Sequence, residues 1–252
     1  MIALAVAASA VVSGSAMAWT ANGTGGNVEL GGTLTPQEKL TPWEVKIGAK
    51  VDGLNAQIAK NSKQAEIPLS AKIPVLGIRT IQPAPFLANG GIAPQIDYDN
   101  AVDVGAFDHG RTTFAIDVKD AQQQKIGRLS GSFIAGSEFS WSDGQGGGEK
   151  KNTYASQPGT MFWGGLGKNA GAISDGWAIA NSISSEYVAH YDNQGQPLVA
   201  PGEDFLTSGA LISSFYGAGI DNQPLVLTLD APVQSDAQIA WTASLSVTVS
   251  YQ

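Results

Sequence analysis

The residue types that most often carry chemistry are scarce in this chain. His109 and His190 are the only histidines and do not form an H-x-x-x-H pair, so the spacing offers no histidine-based zinc site. No G-x-S-x-G elbow is present. Gly165 to Ala170 reads G-L-G-K-N-A, which loosely matches the dinucleotide-binding fingerprint. No strand-helix unit surrounds it, and it lacks the Lys-Ser/Thr ending of a phosphate loop. Asp97, Asp99 and Asp103 resemble part of a calcium loop, but Ala101 stands at the third ligand and the expected Gly is missing. A solvated acidic turn is the simpler reading. Two carboxylates for glycoside hydrolysis are paired in space rather than in sequence, and nothing here singles out such a pair. With no cysteine, disulfides, thiolate catalysis, iron-sulfur clusters and cysteine-based zinc sites are excluded together. The sequence therefore predicts no catalytic residue, no metal site and no cofactor.

Recognition chemistry is better represented. Trp141, Tyr154, Trp163 and Trp177 concentrate in a Gly-rich stretch with Asp143 and Asn152. Aromatic faces pack against sugar C–H groups, and a carboxylate or amide supplies the hydrogen bonds, so these six are candidate glycan-binding residues. Core packing is the competing role for each aromatic, most of all for Trp163 beside Phe162. Across the 252 residues, 14 Lys and Arg face 22 Asp and Glu, a formal charge of -8, which argues against nucleic acid or an anionic membrane as partner. Charged residues make up only 14%, against an average of about 25%, while 43% are hydrophobic. This is a chain with a sizeable core and a surface of small neutral polar groups, not a disordered one.

The elements that must position these residues are mostly strands. Ile239, Trp241, Ala243, Leu245, Val247, Val249 and Tyr251 occupy successive odd positions, with Ala, Thr, Ser and Gln on the even ones. Strict period 2 predicts a half-buried strand of roughly 45 Å. Trp43/Val45/Ile47, Phe114/Ile116/Val118 and Leu225/Leu227/Leu229 repeat the alternation, and Asn89-Gly90-Gly91, Asp143-Gly144 and Asp192 to Gly195 punctuate between strands. An antiparallel β-sandwich is expected. Ile183, Tyr187 and Tyr191 at i, i+4, i+8 predict a short helix, and Leu54 with Ile58 another turn or two. Between about 137 and 209 the alternation weakens, which suggests an insertion on the β framework.

The start of the chain reads as a processing signal. Ile2 to Val12 is apolar and Ala16-Met17-Ala18 has the small-x-small form of a signal-peptidase site, although no Lys or Arg precedes the apolar run. Residues 1–18 are expected to be a signal peptide and the mature chain to begin at Trp19. Residues 19–35 are Gly-rich yet carry Val28, Leu30, Gly32 and Leu34 in alternation. That row suits either an ordinary first strand or a strand meant to complete another molecule's sheet.

The chain resembles the K88 (F4)-like fimbrial subunits of Gram-negative bacteria. The resemblance rests on Asn27 to Leu34 (NVELGGTL), Trp43 to Gly48 (WEVKIG), Gly91 to Ile96 (GIAPQI), Met161 to Leu166 (MFWGGL) and Trp241 to Tyr251, together with the absence of cysteine. It covers nearly all of the mature chain. It implies an incomplete immunoglobulin-like sandwich, residues 36–252, with an adhesive insertion, in a non-enzymatic structural subunit of a surface fimbria. By that resemblance a PapD-like periplasmic chaperone lends the missing strand, and the extension of a neighbouring subunit replaces it at the outer-membrane usher. Val28, Leu30, Gly32 and Leu34 would be the donor strand; Leu245, Val247 and Val249 the acceptor groove; and Tyr251 the end of the chaperone-pairing strand. Host glycoconjugates would be the adhesive partners, unless the chain is a non-adhesive minor subunit. Two other classes share parts of this signature. An outer-membrane β-barrel would show aromatic girdles on many strands, whereas this chain has six Trp and six Tyr. A secreted carbohydrate-active protein would act on or retain glycans.

Overall fold

A computed structural model describes residues 30–35, 40–203 and 209–252. The expected signal peptide and Val28 lie outside the described residues. Leu40–Gln252 forms one compact unit, and residues 30–35 belong to a separate one. Residues 30–35 form neither strand nor helix, and Leu30 and Leu34 are 93% and 99% exposed.

The alternating segments become strands as expected. They are β1 (Trp43–Ile47), β2 (Gln64–Ile67), β3 (Ile73–Thr80), β4 (Phe86–Leu87), β5 (Pro94–Asp97) and β6 (Arg111–Lys119). After these come β7 (Lys125–Ser142), β8 (Gly148–Asn152), β9 (Leu211–Ile220), β10 (Leu225–Leu229), β11 (Thr242–Ala243) and β12 (Thr248–Tyr251). All ladders between these strands are antiparallel. β7 is the spine. Its first half pairs with β6 on one edge and β10 on the other; its second half pairs with β8 and β9. One path runs β1-β3-β9-β7 and another β7-β10-β2, with β11 joined to β6 and β12 to β5. This is a mainly β, sandwich-like fold whose two layers are continuous through one strand. The inward rows explain why: Phe114, Ile116 and Val118 of β6, Leu129 and Phe133 of β7, and Leu225, Leu227 and Leu229 of β10 are all buried in one core.

Ser137, where the alternation weakens, lies inside β7. The residues after β7 form β8, the helix α1 (Gly176–Ile183) and a 3-10 turn over Ser185–Val188. Asp175 caps α1, its Oδ1 accepting from the Ala178 N–H at 2.9 Å. The helix ends sooner than the Ile183/Tyr187/Tyr191 spacing predicts, because Ser184 is extended and the chain re-enters as a 3-10 turn. The three side chains still face the sheet: Ile183 and Tyr187 pack on Ile134, and Tyr191 meets Phe215 edge-on at 5.0 Å. The expected turn of helix at Leu54 and Ile58 is absent; both pack against the core from an irregular stretch. The predicted 45 Å terminal strand is also corrected. It is paired only at β11 and β12, with residues 244–247 outside any ladder, because its partner changes from β6 to β5.

The helical layer sits close on β3 because Gly77 has no side chain. A Cβ there would lie 2.2 Å from the Tyr187 ring. Gly77→Val should therefore cost about 1–3 kcal/mol by overpacking, and at about 2–4 °C per kcal/mol for a domain of this size the melting temperature should fall by several degrees. Gly90→Ala, whose Cβ meets nothing within 4 Å, should leave it unchanged in the same calorimetric scan.

Candidate functional site: an open apolar groove

The terminal segment differs from the sealed inward rows of β6, β7 and β10. Trp241, Ala243, Leu245, Val247, Val249 and Tyr251 all pack against the core, yet each is only half-buried. Across from them, the inward residues of β1 beyond Trp43 are exposed too, Val45 at 40% and Ile47 at 54%. Between these two rows runs a cleft of about 640 Å³, with Ile47, Val51 and Leu54 on one side and Ile239, Trp241, Leu245 and Val247 on the other. Its floor is the core itself: Val75, Ile116, Leu129, Ile220 and Leu225. A second cleft of about 840 Å³ continues past Trp241, floored by Ile67, Leu227 and Leu229 and flanked by Ile58 and Val233. Among the described residues, β1 is paired only to β3, β11 only to β6 and β12 only to β5. The site is therefore a long apolar trough with strand edges on both sides, chemically suited to an extended segment that alternates apolar side chains with backbone hydrogen bonds.

Leu245, Val247, Val249 and Tyr251 thus share one row, with Leu245 and Val247 lining the first cleft, and Tyr251 stands opposite Pro94 of β5 at the end of the β12 ladder. The opposite wall and the second cleft were missed from sequence. The Trp43/Val45/Ile47 alternation was a signal for that wall, since it marks two more apolar residues on the face of the buried tryptophan. Gly32 lies between the exposed Leu30 and Leu34, and a Cβ on it would touch nothing within 4 Å.

The six candidate glycan residues divide between two places. Trp141, Asp143 and Asn152 belong to the β7-β8 hairpin, where Trp141 stands opposite Glu149 and its Nε1–H donates to that carboxylate at 3.4 Å. Asp143 organises the turn: its Oδ1 accepts from the Gln145 N–H at 2.7 Å and the Gly147 N–H at 2.9 Å, which holds its carboxyl below the usual carboxylate range. Asn152 Oδ1 accepts from the Gly176 N–H at 2.8 Å, tying the hairpin to α1, where Trp177 is 43% exposed. Tyr154 follows directly and is half-buried. Trp163 lies elsewhere, bridged to Gln95 of β5.

Around Trp163, Phe162 takes a positive φ of 61° and is fully buried, stacked on Tyr216 at 5.4 Å and edge-on to Trp43 at 5.9 Å. Gly164 follows at φ +83°, and a Cβ there would come within 2.0 Å of the Ile96 carbonyl oxygen. Tyr216 donates its hydroxyl to the Gly165 carbonyl at 2.9 Å and so accepts from the Tyr98 hydroxyl at 2.8 Å; burial pushes both phenols well above their ordinary range. Asp97 and Asp99 make an Asx turn, the Asp99 N–H donating to Asp97 Oδ1 at 2.8 Å.

Fold and groove together define a β-sandwich whose core is left open along one side. The chain matches, over residues 1–252, the family described as "Fimbrial, major and minor subunit", the K88 fimbrial family. It is similar to K88 fimbrial protein AB of Escherichia coli, 28% identical over 287 aligned positions, and to K88 fimbrial protein AC of the same organism, 27% identical over 285. Both alignments cover 100% of this chain and 98% of the relative. The chain belongs to this family and is a structural fimbrial subunit, a component of an extracellular surface appendage that associates with other fimbrial subunits.

The Asp143 geometry carries a pH signature. A carboxyl whose folded pKa is depressed contributes stability above its unfolded value, near 3.9, that is lost as pH falls through the folded value. An NMR titration should place the Asp143 midpoint below that ordinary value, and Asp143→Ala should raise amide exchange at Gln145 and Gly147.

Proposed function

We propose that this subunit polymerises by strand donation: a PapD-like periplasmic chaperone first fills the groove, and the N-terminal extension of another copy replaces it at an outer-membrane usher. The observation that carries this reading is the half-buried inward row of the terminal segment across the cleft from Ile47 of β1, itself 54% exposed. Core residues left open to water on both sides of a trough gain most from an apolar strand, since burying one Leu or Val side chain is worth about 1.5–3 kcal/mol. Leu30 and Leu34 are such side chains, exposed and separated by two residue pairs, which is the spacing of one face of a strand. Val28 and Gly32 extend the same row. The donated backbone also satisfies strand edges that otherwise stand unmatched among the described residues.

Replacing Val247 and Val249 with Asp puts carboxylates where apolar side chains pack, a cost of several kcal/mol for an unpaired buried charge. Co-purification with the chaperone should then be lost. Recovery of normal yields of soluble, two-state monomer without any chaperone would sink the proposal.

The extension gives an independent arm. Leu30→Asp should stop fibre growth while leaving the chaperone complex intact. Moving Thr20 to Thr35 to the C terminus through a short flexible linker should yield a stable monomer that no longer polymerises, because an intramolecular donor acts at high effective concentration. Were Asn27 to Leu34 an internal first strand, Leu30→Asp would instead weaken the chaperone-bound subunit and the transplanted chain would misfold. Size-exclusion chromatography and thermal melting separate the two outcomes.

A further inference from the structure

The inner face of the trough selects apolar side chains, but its rim carries charge. Three lysines stand along the wall that begins with β1. Lys46 is engaged with Glu186 of the 3-10 turn, and Lys60, at the second cleft, is tied at 3.2 Å to Asp236 of the chain leading into the terminal segment. Lys50, at the first cleft, pairs within its own stretch with Asp52 at 2.7 Å. The Lys50 and Asp52 side chains are 82% and 74% exposed, so their pair contributes little and is readily exchanged for another carboxylate. The outward positions of the facing segment, Thr242, Ser244, Ser246 and Thr248, are uncharged.

The extension brings one charge to this rim. Between Trp19 and Thr35 the one charged side chain is Glu29. It lies between Val28 and Leu30, so in a strand it points away from the apolar face and, in an occupied trough, toward the rim. Two features fix where along the rim it falls. First, residues 48–59 are irregular while the terminal segment already forms ladders, so a donated strand gains most by pairing antiparallel to the terminal segment. Its first residues then lie toward Val247 and its last toward Trp241. Second, the inward residues Val247, Leu245, Ala243 and Trp241 line the first cleft, and they match Val28, Leu30, Gly32 and Leu34 one for one. With Val28 at the level of Val247, Glu29 comes next along the trough, where the facing wall runs from Ile47 to Lys50.

We propose that Glu29 of an incoming copy pairs with Lys50 of the acceptor subunit in place of Asp52, and that this ion pair sets the direction and register of the donated strand. The pairing rests on the strand-donation reading of the groove and adds to it a charged contact that an apolar trough alone does not supply.

The test follows polymerisation of the purified full-length chaperone–subunit complex by light scattering at low ionic strength. Glu29→Lys and Lys50→Glu should each slow it about two- to fivefold, the range of an exposed ion pair, and the doubly reversed chain should return to the wild-type rate. Asp52→Asn, which removes the competing carboxylate, should speed it. High salt should erase these differences, because a rim pair is screened. The yield of chaperone complex checks that each variant folds, and Lys50→Gln replaces Lys50→Glu should that yield drop. Single reversals that leave the rate unchanged overturn the proposal. So does rescue of Glu29→Lys by Lys60→Glu, which would mean the opposite strand direction, or by Lys46→Glu, which would mean a register shifted toward Trp43. Failure of the wild-type complex to form fibres is a different result: it defeats the strand-donation reading itself, and this pairing with it.

Discussion

The structure turns on one shortage: the sandwich has more inward-facing apolar side chains than it has strands to cover them. Phe114, Phe133, Leu225 and their neighbours are sealed because β6, β7 and β10 lie side by side. The terminal row from Trp241 to Tyr251 packs on the same core, but is only half-covered. An apolar row half-open to water, with unmatched strand edges alongside it, is a demand for one more strand. The proposed polymerisation through a borrowed strand would satisfy backbone and side-chain requirements in the same step.

The rest of the molecule keeps that trough fixed. β1 forms one wall with its inward residues and is tied to the helical layer by its outward ones. Glu44 pairs with Arg79 at 2.6 Å, Lys46 pairs with Glu186, and Arg79 Nη1 donates to the Glu186 carbonyl at 2.8 Å. Exposed pairs of this kind are individually weak, but here they join β1, β3 and the 3-10 turn. Tyr187 over Gly77 supplies the close packing beneath them. At the other end, the Phe162 to Gly165 loop is riveted to β5 through the Ile96 N–H on the Trp163 carbonyl and to β9 through Tyr216, and it meets Trp43 of β1 edge-on. The wall bearing β12 is thus as firmly supported as the wall bearing β1.

Much of this was legible in the residues. Period-2 alternation located β1, β6, β10 and the terminal segment, since the side-chain period of a strand is read directly from sequence. The absence of cysteine excluded disulfides and thiolate chemistry from the residues alone. The short stretches from Asn27 to Leu34 and from Trp241 to Tyr251 carried a family resemblance that the full-length family match now shows. Where local spacing was the only guide, it overreached: Ile183, Tyr187 and Tyr191 share a face without sharing one helix, and Leu54 and Ile58 need no helix to pack.

Sequence by itself determined which residues were apolar, in what period, and therefore that strands with a buried face must form. It could not determine whether the terminal row would be fully or half covered, because coverage depends on which strands become neighbours. That is a matter of non-local pairing, in which β1 and the terminal segment come to flank one trough although some two hundred residues separate them in order. The same is true of Trp163. Its neighbours in sequence mark it only as one of several aromatics, and its position beside Asp97, Asn100 and the outward face of β12 exists only once β5 and β12 have paired.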